Sequence, residues 1–346
     1  MILYHILSIL DIKMWNFIEE ILKNFTQCFS RKSTFNWFVI IVIGFMLRSD
    51  SLGVTSVIRD LSISPKLYET MIHFFRSSAW NLDSLFDVWT KVVLKYAPIY
   101  KENDRIILIG DGVKQAKDAR KMPGVKKLHQ ESENSTKAEY IFGHLFGAIG
   151  CLIGNANKLF CLPLLINLQD GVSAINDWSN PEEKQGSHVV QMIQNGFKTA
   201  TKLGESLLLL DRYFLSVPAL QTLDQLNGEE NAKLHILTKA KKSCTAYEKI
   251  NNTESKGKGR PRKKGDSVKL STLFRTKKEE FTTCSIKLYG KEESVSYYCI
   301  NLLWGQKLYK ELRFVLVNYN GKESILVSTD LNLDPEAMIR LYVSAS

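Results

Sequence analysis

The sequence predicts an α/β protein: a mixed sheet with helices, preceded by an all-helical region and interrupted by a basic insertion. Three observations lead there. Up to about residue 97 the apolar residues recur at helical spacing. From residue 105 they gather into short runs bounded by Gly, Asn and Asp. Between Lys249 and about Ser296 the composition turns polar and basic before strand-like runs return. The expected organisation is therefore a helical region over 1–97, α/β structure over 98–248, the insertion over 249–296 and a last α/β part over 297–346.

In chain order, "MILYHILSILDIKMW" is apolar but has neither a basic leader nor a small-residue cleavage site, so it does not read as a signal peptide. "WFVIIVIGFML", Trp37 to Leu47, is too short to cross a bilayer comfortably and reads as a core helix; no membrane partner is expected. "LGVTSVIRDLSISPKLYETMIHFFRSSAW" holds a helical segment, a turn and a second start where Ser64 caps and Pro65 takes the first helical position. Two readings fit it: a helix-turn-helix presenting Lys66, His73 and Arg76 to DNA, or an ordinary packed helical hairpin.

The runs "RIILIGDG", "EYIFGHLFGAIGCLIG" and "KLFCLPLLINL" read as buried strands. An amphipathic helix from Ser187 to Leu203, a strand "SLLLLD" and a helix–strand unit ending "KLHILTKA" follow. Strands then alternating helices and strands point to an α/β layer fold with a mixed sheet. The last runs, "YYCINLLWGQ" and "LRFVLVNYNGKESILVSTD", are strand-like, and Asp334, Pro335 and Glu336 make a helix start: an N-cap acid, a proline whose missing N–H costs nothing, and an acid favoured by the helix dipole. Met338, Ile339 and Tyr342 begin its apolar face.

Hydrophobic residues make up 45% of the chain, ample for a buried core. A formal charge of +10 and a pI near 9.1 favour a polyanionic partner, nucleic acid before an anionic membrane surface. Six scattered cysteines without a CxxC pair or zinc-type Cys/His spacing read as reduced, mostly buried thiols of a cytoplasmic protein.

Asp111 in "IILIGDGV" and Asp211 in "SLLLLDRYF" each stand where an apolar strand run ends. Either alone has a plainer reading: Asp111-Gly112 is a common hairpin turn, and an Asp after a strand often caps the next helix. Together they are more informative, since carboxylates at the tips of neighbouring strands converge on one crevice. Two converging carboxylates repel unless a cation neutralises them, which predicts a hard divalent metal, Mg2+ or Mn2+, on Asp111 and Asp211. In a basic protein such a site suits phosphoryl transfer on a phosphodiester.

"DGVKQAKDARKMPGVKKLHQESENSTKAEYIFGHLFGAIG", "LLLLDRYF" and the terminal "STDLNLDPEAMIRLY" resemble the DDE-type transposases of bacterial insertion sequences; "HFFRSSAW" and "GRPRKKG" also look like parts of such proteins. The resemblance runs from about residue 35 almost to the end, with "MPGVKKLHQESENS" its most specific block. It implies a ribonuclease-H-like catalytic domain, a DNA-binding or dimerising helical region, and a triad of two aspartates and a glutamate. Asp111 matches the first aspartate and Asp211 the second, 211 − 111 = 100 residues later.

The family's glutamate lies in a Tyr-x-x-Arg-x-x-x-Glu pattern on a late helix. Tyr342 matches its tyrosine, Ala345 stands in place of the arginine, and the glutamate would fall beyond Ser346. The expectation is a truncated copy with impaired activity. Asp330 and Glu336 are the nearest other acids, and capping explains both better than metal binding. "GRPRKK" resembles an AT-hook core, with Arg260 and Arg262 entering a minor groove and Lys263 and Lys264 meeting phosphates; a solvated basic loop with nonspecific phosphate affinity is the plainer reading. His129 and Gln130 read as structural loop residues within reach of substrate, and Tyr213 and Phe214 as core contacts behind Asp211.

The expected activity is metal-dependent cleavage and strand transfer on double-stranded DNA, at element ends and target, by a cytoplasmic homo-oligomer assembled on DNA. Two alternatives stand beside it: a noncatalytic DNA-binding protein or inhibitor derived from a transposase, and a metal-dependent nuclease.

Overall fold

The computed structural model describes residues 2–47, 53–118, 121–129, 139–155, 158–169, 187–229, 233–250, 262–288 and 290–344. It divides into two compact units, Met1–Ala97 and Pro98–Ser346.

The first unit is helical: α1 (Ile2–Lys23), α2 (Lys32–Leu47), α3 (Val54–Asp60), α4 (Tyr68–Arg76) and α5 (Leu82–Tyr96). The apolar run of α2 is a core helix, as its length suggests: Ile41 packs with Val57 and Ile58 of α3 and with Met71 and Phe74 of α4. A Cβ on Gly44 would stand 2.2 Å from the Val57 side chain, so a glycine there lets α2 and α3 approach. No helix among the described residues is long and apolar enough to cross a membrane. The second helix of the 53–80 segment starts later than its sequence suggests. Pro65–Leu67 is a 3-10 turn closed by the Leu67 N–H on the Ser64 carbonyl, and the Ser64 side chain caps nothing. Lys66, His73 and Arg76 are exposed.

The second unit contains, in order, β1 (Lys101–Glu102), β2 (Arg105–Ala116), β3 (Lys126–His129), β4 (Tyr140–Asn155), β5 (Lys158–Gln169), α6 (His188–Leu203), β6 (Ser206–Leu209), α7 (Val217–Glu229) and β7 (Leu234–Lys239). Then come β8 (Thr245–Tyr247), β9 (Ser267–Lys269), α8 (Leu270–Thr276), β10 (Thr282–Leu288), β11 (Lys291–Trp304), β12 (Lys310–Tyr319), β13 (Lys322–Ser328) and α9 (Pro335–Ser344). β5, β4 and β2 are antiparallel neighbours, and β6 then β7 lie beside β2, parallel to it. That order and sense make the ribonuclease-H-like core. β13, β12 and β11 continue the sheet antiparallel from β7.

Alternation of side chains along β2 and β6 sends successive residues to opposite faces. On one face Ile107, Leu207 and Leu209 share a core with Met338, Ile339 and Leu341 of α9. On the other, a Cβ on Gly110 would meet the Met192 sulfur of α6 at 3.0 Å, so that face belongs to α6. α9 starts as its residues suggest, with the Asp334 carboxylate accepting the Ala337 N–H at 2.9 Å.

Two local readings change. Asp111-Gly112 is not a hairpin turn: β2 runs on to Ala116 because β4 keeps pairing with it, Asp111 opposite Ala148 and Gly112 opposite Gly147, after β6 has stopped at Leu209. The described part of 249–296 is regular structure in good part: β9 on β8, the helix α8, and β10 on β11. Its polar composition hides alternation, because only one face of β10, with Ile286 and Leu288, is buried.

Candidate active site

The two aspartates meet through strand register. Ile106 to Ile109 of β2 pair in parallel with Ser206 to Leu209 of β6, residue for residue. β6 ends there; two residues further along each chain stand Asp111, still within β2, and Asp211, the cap of the turn that follows β6. Both have the parity of Ile107, Leu207 and Leu209, so both project from the face that α9 covers. Both are exposed, and both line one cavity of about 360 Å³.

Backbone groups orient each carboxylate. Asp111 Oδ1 accepts the Gly112 N–H at 2.7 Å, and Asp211 Oδ1 accepts the Tyr213 N–H at 2.5 Å, capping the turn Arg212–Phe214. The capping reading of Asp211 is therefore correct and leaves its second oxygen for a ligand. The Thr238 hydroxyl donates to the Asp211 carbonyl at 2.7 Å and fixes that backbone to β7. Tyr342 of α9 is near enough to feel Asp211: burial pushes its hydroxyl pKa up, the Asp211 charge adds to the rise, and Arg212 opposes it.

The donor set fits a hard divalent cation in chemistry: two adjacent carboxylates, each oriented by a backbone N–H and open to the cavity. It is a two-acid set, for no group of three His, Cys, Asp or Glu side chains among the described residues is placed to hold a metal. Asp330 is no substitute. It is buried at the other end of the core, paired with Arg105 at the start of β2, and its Oδ1 accepts the Asn332 N–H at 3.0 Å. Glu336 sits in the first turn of α9 beside Cys284 and Tyr297, whose pKa values burial raises and Glu336 raises further.

Arg260 and Gln130 lie outside the described residues. Arg262 and Lys263 are exposed, whereas the Lys264 ammonium sits 3.5 Å from the Tyr247 ring centroid and 5.2 Å from that of Tyr309. His129 is in β3 and lines the cavity. Phe214 is buried, as its sequence context suggests, but Tyr213 is 56% exposed and forms part of the cavity wall.

Sequence reasoning missed Lys114, Lys126, Lys127 and His188, which line the same cavity. Lys114 donates to the His129 carbonyl at 2.8 Å, and the Lys127 ammonium lies 4.2 Å from the Tyr140 ring centroid. His188 is buried and its Nδ1 bonds Gln169 Oε1; a Cβ on Gly112 would come within 2.9 Å of its Nε2. Lys114 and the two lysines within "PGVKKLH" were the one available signal, and only the β2–β4–β3 pairing brings them together.

The chain matches the DDE superfamily endonuclease family over residues 24–145, a segment that contains Asp111 but not Asp211. The match supports a DDE-type nuclease or transposase-like family and a nuclease-type function on nucleic acid; nucleases of this type generally use divalent metals. No curated protein matches the chain. Among solved structures, the NurA nuclease from Sulfolobus solfataricus is similar at 12% identity over 82% of this chain and 86% of that one, with a TM-score of 0.29.

Proposed function

We propose that the protein is a DDE-type DNA transposase that binds Mg2+ or Mn2+ on Asp111 and Asp211 and acts on double-stranded DNA, as a cytoplasmic homo-oligomer assembled on element ends. The observation that carries this reading is that the two aspartates, each two residues beyond the last paired residue of neighbouring parallel strands, line one cavity. A divalent ion bound there would supply charge stabilisation to the oxygens exchanged at phosphorus. The chain's own residues do the rest. Backbone N–H groups of Gly112 and Tyr213 keep the carboxylates aimed, and Lys114, Lys126 and Lys127 attract the polyanionic strand to the cavity. Arg262 and Lys263, exposed at the end of the basic segment, add phosphate affinity away from the chemistry.

A second reading, a noncatalytic DNA-binding protein, is favoured by a different observation: among the described residues no third metal-ligating side chain joins the pair.

The test is Mn2+-dependent nicking of a duplex carrying element ends. Slow nicking that Asp111→Ala lowers by roughly 100-fold or more supports the enzyme. Equal nicking by both proteins overturns the role of Asp111. Duplex binding without nicking selects the noncatalytic reading, and cuts without strand-transfer products select a plain nuclease.

A further inference from the structure

We propose that Lys239 completes the row begun by Asp111 and Asp211, as the cation that holds a non-bridging oxygen of the phosphodiester brought to the two carboxylates. The inference rests on the reading of that pair as the metal-binding site. Ser206 to Leu209 of β6 pair in parallel with Leu234 to Leu237 of β7, residue for residue. Beyond the paired residues the Leu210 N–H donates to the Leu237 carbonyl at 2.9 Å and the Thr238 hydroxyl to the Asp211 carbonyl at 2.7 Å, so the Asp211 backbone lies against β7 just before Lys239. Lys239 has the parity of Leu237, which packs with α9, so all three side chains leave the sheet on one face. Tyr342 links the two: the ring beside the Lys239 ammonium belongs to the tyrosine whose hydroxyl feels the Asp211 charge.

The ammonium is held without being neutralised. Its Nζ lies 5.0 Å from the centroid of the Tyr342 ring, a face that attracts the charge while leaving the three N–H donors for oxygen acceptors. Among the described residues no carboxylate forms an ion pair with Lys239, whereas Lys310 and Arg340 in the same unit are each paired and Arg105 is paired twice. Burial pushes the Lys239 pKa down, and the nearby Arg212 charge pushes it the same way. A lysine suits this place because it binds phosphate as a point charge on a flexible stem.

A plainer role, fastening α9 through Tyr342, makes a different prediction. The test is binding of the full chain to a fluorescein-labelled DNA duplex, followed by anisotropy across a salt series, with Ca2+ and with chelator. Lys239→Met, which keeps the apolar stem, is expected to weaken binding in Ca2+ roughly tenfold. The slope of log affinity against log salt should fall in magnitude by about 0.9, the share of one phosphate contact. Lys239→Arg should keep most of both. A packing role alone lowers the melting temperature of the variants and leaves the slope unchanged, and that result overturns the inference. Asp111→Asn separates the two levels of the argument. If it keeps the whole Ca2+-dependent gain in affinity, the metal reading falls; if it loses that gain while Lys239→Met binds like the parent, only this inference falls. A parent chain that does not bind duplex overturns both.

Discussion

Extending α9 in the Tyr-x-x-Arg-x-x-x-Glu frame from Tyr342, with Ala345→Arg and a glutamate at the last position of the pattern, is expected to raise Mn2+-dependent nicking on the order of 100-fold over residues 1–346 alone, the scale on which partners of a metal site act. Helix geometry supplies the reason. At 3.6 residues per turn, the glutamate of that pattern returns to within about 20° of the tyrosine's own direction, roughly 10 Å further along the axis. Tyr342 already faces the sheet beside Asp211 and Lys239. The first turns of the helix are fixed by Asp334 at the cap and by Met338, Ile339 and Leu341 in the core. Single-turnover nicking of the extended and parent chains measures the gain. A glutamine in place of the added glutamate should abolish it; an equal gain with glutamine would show that extra helix, not a metal ligand, was responsible.

Arg105→Met is expected to destabilise the sheet unit by about 3–5 kcal/mol, because it leaves a buried carboxylate without its cation. Asp330 is 4% exposed and pairs with Arg105, which also donates to Glu205 at 2.8 Å. Methionine fills similar space but leaves Asp330 with only hydrogen bonds such as that from the Asn332 N–H. Arg105→Met combined with Asp330→Leu should recover most of the loss, since replacing both partners removes the uncompensated charge. The deficit should also depend on pH. Burial pushes the His235 pKa down; Asp330 raises it and Arg105 lowers it. In the parent, the folded state thus binds fewer protons at His235 than the unfolded chain, and stability falls as the pH drops below the ordinary imidazole value of about 6.5. Without Arg105, His235 protonates more readily beside Asp330, so the variant loses less on acidification. Urea unfolding at several pH values should show the largest deficit near pH 8 and a smaller one near pH 5; a deficit constant with pH contradicts the assigned coupling.

Local pattern carried much of this fold. The runs that became β2, β4, β5 and β6 are apolar and bounded by turn residues, and the Asp334-Pro335-Glu336 start of α9 is a local chemical signal. What local pattern could not supply was register. Asp111 and Asp211 are 100 residues apart in sequence, and only parallel pairing of β2 with β6 brings them to one cavity. The same reason hid Lys239, which ends "KLHILTKA" as an ordinary strand residue until β7 is laid beside β6. Asp111-Gly112 looked like a turn because the dipeptide favours one, and pairing with β4 overrode that preference. β9 and β10 were masked by a composition suited to an exposed edge, where one buried face is enough.

Mn2+ binding, followed by electron paramagnetic resonance without DNA, tests the pairing of Asp111 and Asp211 most directly, because it needs neither turnover nor a third acid. The parent chain should bind Mn2+ at a site that Asp111→Asn and Asp211→Asn each weaken by at least about tenfold, while Asp330→Asn and Glu336→Gln leave its affinity unchanged once folding is verified. Mn2+ binding indifferent to both aspartates would contradict the account.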